Sequence, residues 1–98
     1  MMFSAKITNY NGRTMLNICD VDLLGRELVE GKLSLRISPA YYGGRMMDRR
    51  EAEEMLESSS VINMAGEEIV SLSTAMGVGT REGVRTVSGI PFLIVLKM

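Results

Sequence analysis

The segment Tyr41-Tyr42-Gly43-Gly44-Arg45, followed by Arg49-Arg50, carries the residue types best suited to chemistry in this chain. Two glycines ahead of an arginine let backbone N–H groups converge on an anion, the tyrosines offer stacking surface, and Arg49 and Arg50 add positive charge about one helical turn later. That combination suits phosphate and an unstacked base. Asn63 and Glu67, around Gly66, could face the same side, although as a helix cap and a first-turn carboxylate they need no ligand. A plainer reading also exists for the loop: Tyr41 or Tyr42 anchors it on the core while the arginines pair with Glu53 and Glu54.

Counting removes other chemistries. The chain of 98 residues has no His and a single Cys, Cys19, so it offers no zinc cluster, no Cys–His pair, no imidazole base and no disulfide framework. No metal and no cofactor is expected. Asp20-Val21-Asp22 with Gly25 resembles the head of a calcium loop, but Leu24 and Gly31 stand where oxygen ligands are required. Gly77-Val78-Gly79-Thr80-Arg81-Glu82-Gly83 follows a helical pattern instead of a strand and has the wrong spacing for a dinucleotide fingerprint. Cys19 beside acidic residues lacks a cationic activator and reads as a packing residue. Glu51, Glu53, Glu54 and Glu57 read as a solvated helix face. Net charge is −1, short of the basic balance that would hold nucleic acid by charge alone. The longest apolar run, Ile90 to Leu96, is too short to span a bilayer, so a cytoplasmic protein without membrane contact is expected.

The elements that must position these residues follow from hydrophobic period. Phe3 to Thr8 and Thr14 to Ile18 alternate as strands around Asn11-Gly12, a dipeptide suited to a tight hairpin. Asp20 to Gly25 reads as an Asp-capped helical turn. Leu33, Leu35 and Ile37 alternate with polar residues as a further strand, ended by Pro39 and the Tyr41–Gly44 loop. Asp48 and Glu51 form a capping box for a helix with Ala52, Met55 and Leu56 on its buried stripe, ending near Ser58. Val61, Ala65, Ile69, Leu72 and Met76 then recur at helical steps as far as Gly77, with Gly66 pointing to a close packing contact or a later start near Asn63. Val84 to Ser88 reads as a weak strand, and Phe92 to Leu96 as a central strand covered on both faces. The expectation is one α+β domain over residues 1–98: a mostly antiparallel sheet of about five strands with two helices on one face. Phe3, Ile7, Leu16, Ile18, Leu33, Leu35, Ile37, Leu56, Ile69, Leu72, Phe92, Ile94 and Leu96 should share its core. The nine Met are assigned mainly to that core, with an adaptable binding surface as the alternative.

Met2-Phe3-Ser4-Ala5-Lys6-Ile7, Tyr42-Gly43-Gly44, Asn63-Met64-Ala65-Gly66-Glu67 and Gly89-Ile90-Pro91, in that order, resemble the small archaeal proteins grouped as domain of unknown function 424. The resemblance runs nearly end to end. It implies an archaeal, cytoplasmic protein without an established activity and shifts the expectation toward an RNA-linked module. It also implies a His after Gly-Ile-Pro, where this chain has Phe92, which favours binding over catalysis. The expected function is therefore that of an RNA or ribonucleoprotein binding module. Tyr41, Tyr42, Gly43, Gly44, Arg45, Arg49, Arg50, Asn63 and Gly66 are the candidate contacts. A protein-interaction adaptor is the alternative, and a small enzyme is the least expected. The oligomeric state is left open.

Overall fold

The computed structural model describes residues 1–98. Strands β1 (Met2–Tyr10) and β2 (Arg13–Asp20) form the expected hairpin, with Tyr10 opposite Arg13. Asn11 and Gly12 both have positive φ, +51° and +77°, as the two-residue turn requires. After a short 3₁₀ turn at Val21–Leu23 come β3 (Glu27–Glu30) and β4 (Leu33–Arg36), which pair only with each other. The chain continues through α1 (Pro39–Tyr42), β5 (Arg45–Asp48), α2 (Arg49–Ser58), β6 (Val61–Ala65), α3 (Glu67–Ala75), β7 (Arg85–Val87) and β8 (Ile90–Leu96). No helix is long and apolar enough to cross a membrane.

The main sheet has six strands in the order β5-β1-β2-β6-β8-β7, antiparallel throughout except for the parallel pair β2–β6. This is a mixed α and β fold with three helices and a sheet larger than the expected five strands. Alternation along the registered strands divides the sheet into two faces. Phe3, Ala5, Leu16, Ile18, Met47, Ile62, Met64 and Leu93 gather with Ala52 and Leu56 of α2 and Ile69, Val70 and Leu72 of α3 in one buried cluster. On the other side, Cys19 and Ala65 lie in a smaller cluster with Leu23, Leu28, Ile37 and Tyr42. The β3–β4 hairpin and α1 thus cover only one end of that face. The rest is open: Met15, Ile94 and Leu96 are exposed there, the last two by 65% and 66%.

Several expectations are corrected. Val61–Ala65 is a strand, not the first turns of a helix. It lies between β2 and β8 and is apolar on both sides except at Asn63, so its pattern carries no clean alternation. Gly66, at φ +124°, breaks the backbone before α3 starts at Glu67. Leu33, Leu35 and Ile37 do not form a core strand of the main sheet: Leu33 is exposed and Leu35 half-buried in the two-stranded unit, and only Ile37 is buried. Strand β8 is not covered on both faces, which leaves Ile94 and Leu96 outside the core and Phe92 and Ile7 at its margin. Tyr41 and Tyr42 end a helical turn capped by Ser38, whose Oγ accepts from Ala40 N at 3.1 Å, instead of lying in a loop. Asp20 does stand ahead of a helical turn, but its side chain does not cap it. The capping box at Asp48 and Glu51 forms as expected, and α2 ends at Ser58.

Candidate nucleic-acid interface

The sequence-picked residues fall on opposite sides of the sheet. Arg45 is registered with Ala5, on the helix side, and its Nη2 reaches Glu51 Oε2 at 3.0 Å. Arg49 pairs with Glu53 at 3.5 Å and Arg50 with Glu54 at 3.7 Å, both along α2. All three are exposed pairs, worth about 0–1 kcal/mol each, yet they leave no surplus positive charge at that end of the molecule. Tyr41, Tyr42 and Asn63 lie on the other side. Tyr42 is buried against the smaller cluster, with its backbone oxygen accepting from Ser4 Oγ at 2.9 Å and its ring edge-on to Tyr41 at 5.1 Å between centroids. Burial raises its phenol pKa to about 12. Tyr42 is therefore the anchor and Tyr41, 49% exposed, the free ring.

The glycines are explained by packing. A Cβ on Gly43 would lie 2.4 Å from Pro39 O, which already accepts the Gly43 N–H at 2.8 Å, so that N–H is not free for an anion. Gly44 has φ +115° and turns the chain into β5. A Cβ on Gly66 would meet the Asp20 carboxylate at 2.4–2.8 Å. That carboxylate accepts from Glu68 N and Ile69 N, each at 2.9 Å, and so caps α3 from a residue 48 positions earlier in the chain. Burial raises the Asp20 pKa, and these two N–H donors partly offset it. Burial pushes the Cys19 thiol up to about 12, and the neighbouring Asp20 and Asp22 carboxylates act in the same direction.

The open face assembles a different set. Lys6 and Arg13 occupy positions of β1 and β2 on that face, and Arg85 is registered with Phe92 on β7. None of them belongs to an ion pair. Lys6 Nζ donates to Ala40 O at 3.1 Å, which leans it over α1. Asn17 and Asn63 sit side by side on adjacent strands, with Asn63 Nδ2 donating to Asn17 Oδ1 at 2.7 Å and reaching toward Tyr41 Oη at 3.5 Å. Arg85, Phe92 and Ile94 also line a small cleft of about 220 Å³ with Gly83. No position of β1, β2, β6, β7 or β8 on this face is acidic. The one carboxylate of matching parity on β5, Asp48, is turned to cap α2 at 2.9 Å from Glu51 N. Six of the twelve acidic residues lie on α2 and α3, as Glu51, Glu53, Glu54, Glu57, Glu67 and Glu68, and Glu27 and Glu30 lie on the β3–β4 hairpin at the covered end of the open face. Lys6 and Arg13 were missed by reading motifs. The strand period of the hairpin places both opposite Phe3 and Leu16, and that signal was present.

The family profile described as "Protein of unknown function (DUF424)" matches residues 8–98. A similar solved structure is the crystal structure of an uncharacterized conserved protein from Methanopyrus kandleri. It shares 26% identity over 100% of this chain and 95% of that one, with a TM-score of 0.79. No curated protein matches the chain.

Proposed function

The chain belongs to the DUF424 family, and we propose that it is a binding module for single-stranded RNA that works through the open face of its six-stranded sheet. The observation that carries this reading is the segregation of charge. The open face holds Lys6, Arg13 and Arg85 with no acidic residue at its positions on β1, β2, β6, β7 or β8, while six of the twelve acidic residues lie on α2 and α3. A chain of net charge −1 thereby gains a locally cationic surface for phosphates and an opposite surface that repels them. Tyr41 and Tyr10, both exposed, supply rings for bases, and Asn63, half-buried beside the buried Asn17, supplies an amide for base edges. Arg45, Arg49 and Arg50 have no part in this surface.

The test is a titration with mixed short single-stranded RNAs at low salt. Binding should weaken as salt rises, with a slope of about 0.7 per phosphate neutralised. Lys6→Gln with Arg13→Gln should lower that slope, Tyr41→Ala should remove about 1–3 kcal/mol with little change in it, and Arg49→Gln with Arg50→Gln should leave binding intact. No binding at protein concentrations of about 100 μM overturns the reading. A second reading, a protein-interaction adaptor, is favoured by the exposure of Met15, Ile94 and Leu96 on the same face. It predicts partner binding that is insensitive to salt and abolished by Ile94→Asp.

A further inference from the structure

A separate trough of about 540 Å³ lies between α3 and the loop that follows it. One wall is a single stripe of α3, Glu67, Val70, Ser71, Thr74 and Ala75, spaced at three and four residues. The other is Gly79, Thr80, Arg81 and Val84, with Pro91 at the start of β8. The start of the loop wall is fixed to α3 and to β8. Gly77 N donates to Thr74 O at 3.1 Å and Val78 N to Ser73 O at 2.9 Å, while the Ser73 hydroxyl donates to Val78 O. Gly79, at φ +81°, lies so close to β8 that a Cβ would meet Val95 and Leu93 side chains at 2.8 and 2.9 Å. The trough is therefore preformed, and its size falls in the range of small-molecule sites, about 300–1,000 Å³.

Its polar groups have a distinctive arrangement. Glu67 and Arg81 both line the trough, yet neither enters an ion pair with the other or with any other residue. Glu67 stands at the Pro91 end, where Gly66 N donates to Pro91 O at 2.9 Å, and Arg81 stands on the facing loop. The hydroxyls of Ser71 and Thr80 lie along the same walls, and Val70, Val84 and Pro91 give an apolar lining. Opposite charges on one small cleft that do not neutralise each other match a molecule that carries the complementary charge at each end. We propose that this trough binds a small zwitterion, an amino acid with its carboxylate on Arg81 and its ammonium on Glu67, the carbon chain between them resting on Val70, Val84 and Pro91. No covalent step is involved, and the proposal is independent of the RNA surface on the open face.

The experiment is calorimetric titration of the full chain with a length series, alanine, 4-aminobutyrate and 6-aminohexanoate, each at up to about 10 mM, a concentration suited to affinities in the millimolar range. Saturable binding by at least one member is expected, and the preferred length reads the span between the charges. The N-acetyl and the amide derivative of that member, each lacking one charge, should bind at least about tenfold more weakly. Arg81→Gln should abolish the advantage of the free carboxylate and Glu67→Gln that of the free amine, while Arg50→Gln changes nothing. Thermal midpoints of the variants confirm that each is folded. Absence of saturable binding across the series, or equal binding by the singly charged derivatives, overturns the proposal.

Discussion

The helix-covered face and the open face of the six-stranded sheet are built from alternate residues of the same strands, yet they answer to different demands. Leu16, Ile18, Ile62 and Met64 on the covered face are almost wholly buried, and their neighbours on the open face, Met15, Asn17, Val61 and Asn63, run from buried to exposed in a mixture of amide and apolar groups. The open face leaves Ile94 and Leu96 exposed by 65% and 66%. The contrast assigns the main core to one face and leaves most of the other open to solvent.

Mutations can break that contrast, and the largest effects should be on the covered face. Ile62→Ala or Leu16→Ala should cost about 2–5 kcal/mol in urea unfolding, whereas Ile94→Ala should stay within about 0.5 kcal/mol. Equal losses would show that the open face is also a packed interior. Asp20 joins strand to helix, so Asp20→Ala should cost about 1–2 kcal/mol through loss of the α3 cap. Gly66→Ala should also destabilise, because the added carbon meets that carboxylate at a φ of +124°. If both variants unfold like the wild type, α3 does not depend on this contact.

The pH dependence sharpens the same point. Because burial raises the Asp20 pKa above its ordinary 3.8, the native state holds that proton more tightly than the unfolded chain. The resulting stability is complete below the unfolded value and is lost as pH rises through the folded one. Unfolding free energies of wild type relative to Asp20→Asn should therefore fall as pH is raised above 3.8 and then level off. A difference that grows with pH would mean that the two N–H donors outweigh desolvation. The smallest expected signal comes from Cys19. With its thiol pushed up to about 12, it should resist a thiol-labelling reagent at pH 8 in the folded protein and react once urea unfolds the chain. Rapid labelling of the native state would show that the covered end of the open face is not closed.

Local signals account for what could be read in advance. Asn11-Gly12 dictates the hairpin through its backbone preferences, and Asp48 with Glu51 dictates the start of α2 through hydrogen bonds three residues apart. Tyr41 and Asn63 were singled out from residue type alone, whereas Glu53 and Glu54 as partners of Arg49 and Arg50 were foreseen only in the plainer reading of that loop, and Glu51 as the partner of Arg45 was not.

By itself, then, the sequence determined the hairpin, the capped helix, the family and a composition with no His and one Cys, because each depends on composition or on residues close together in the chain. Tertiary structure decided that Val61–Ala65 is a strand, since its partners Met15–Cys19 and Phe92–Leu96 lie far away in sequence and satisfy its backbone only after folding. It decided that Asp20 caps a helix 48 residues later instead of its own turn. It also decided which cations stand free, because a side chain on a sheet takes its face from the strand's register, and register is fixed by long-range pairing that no local pattern contains.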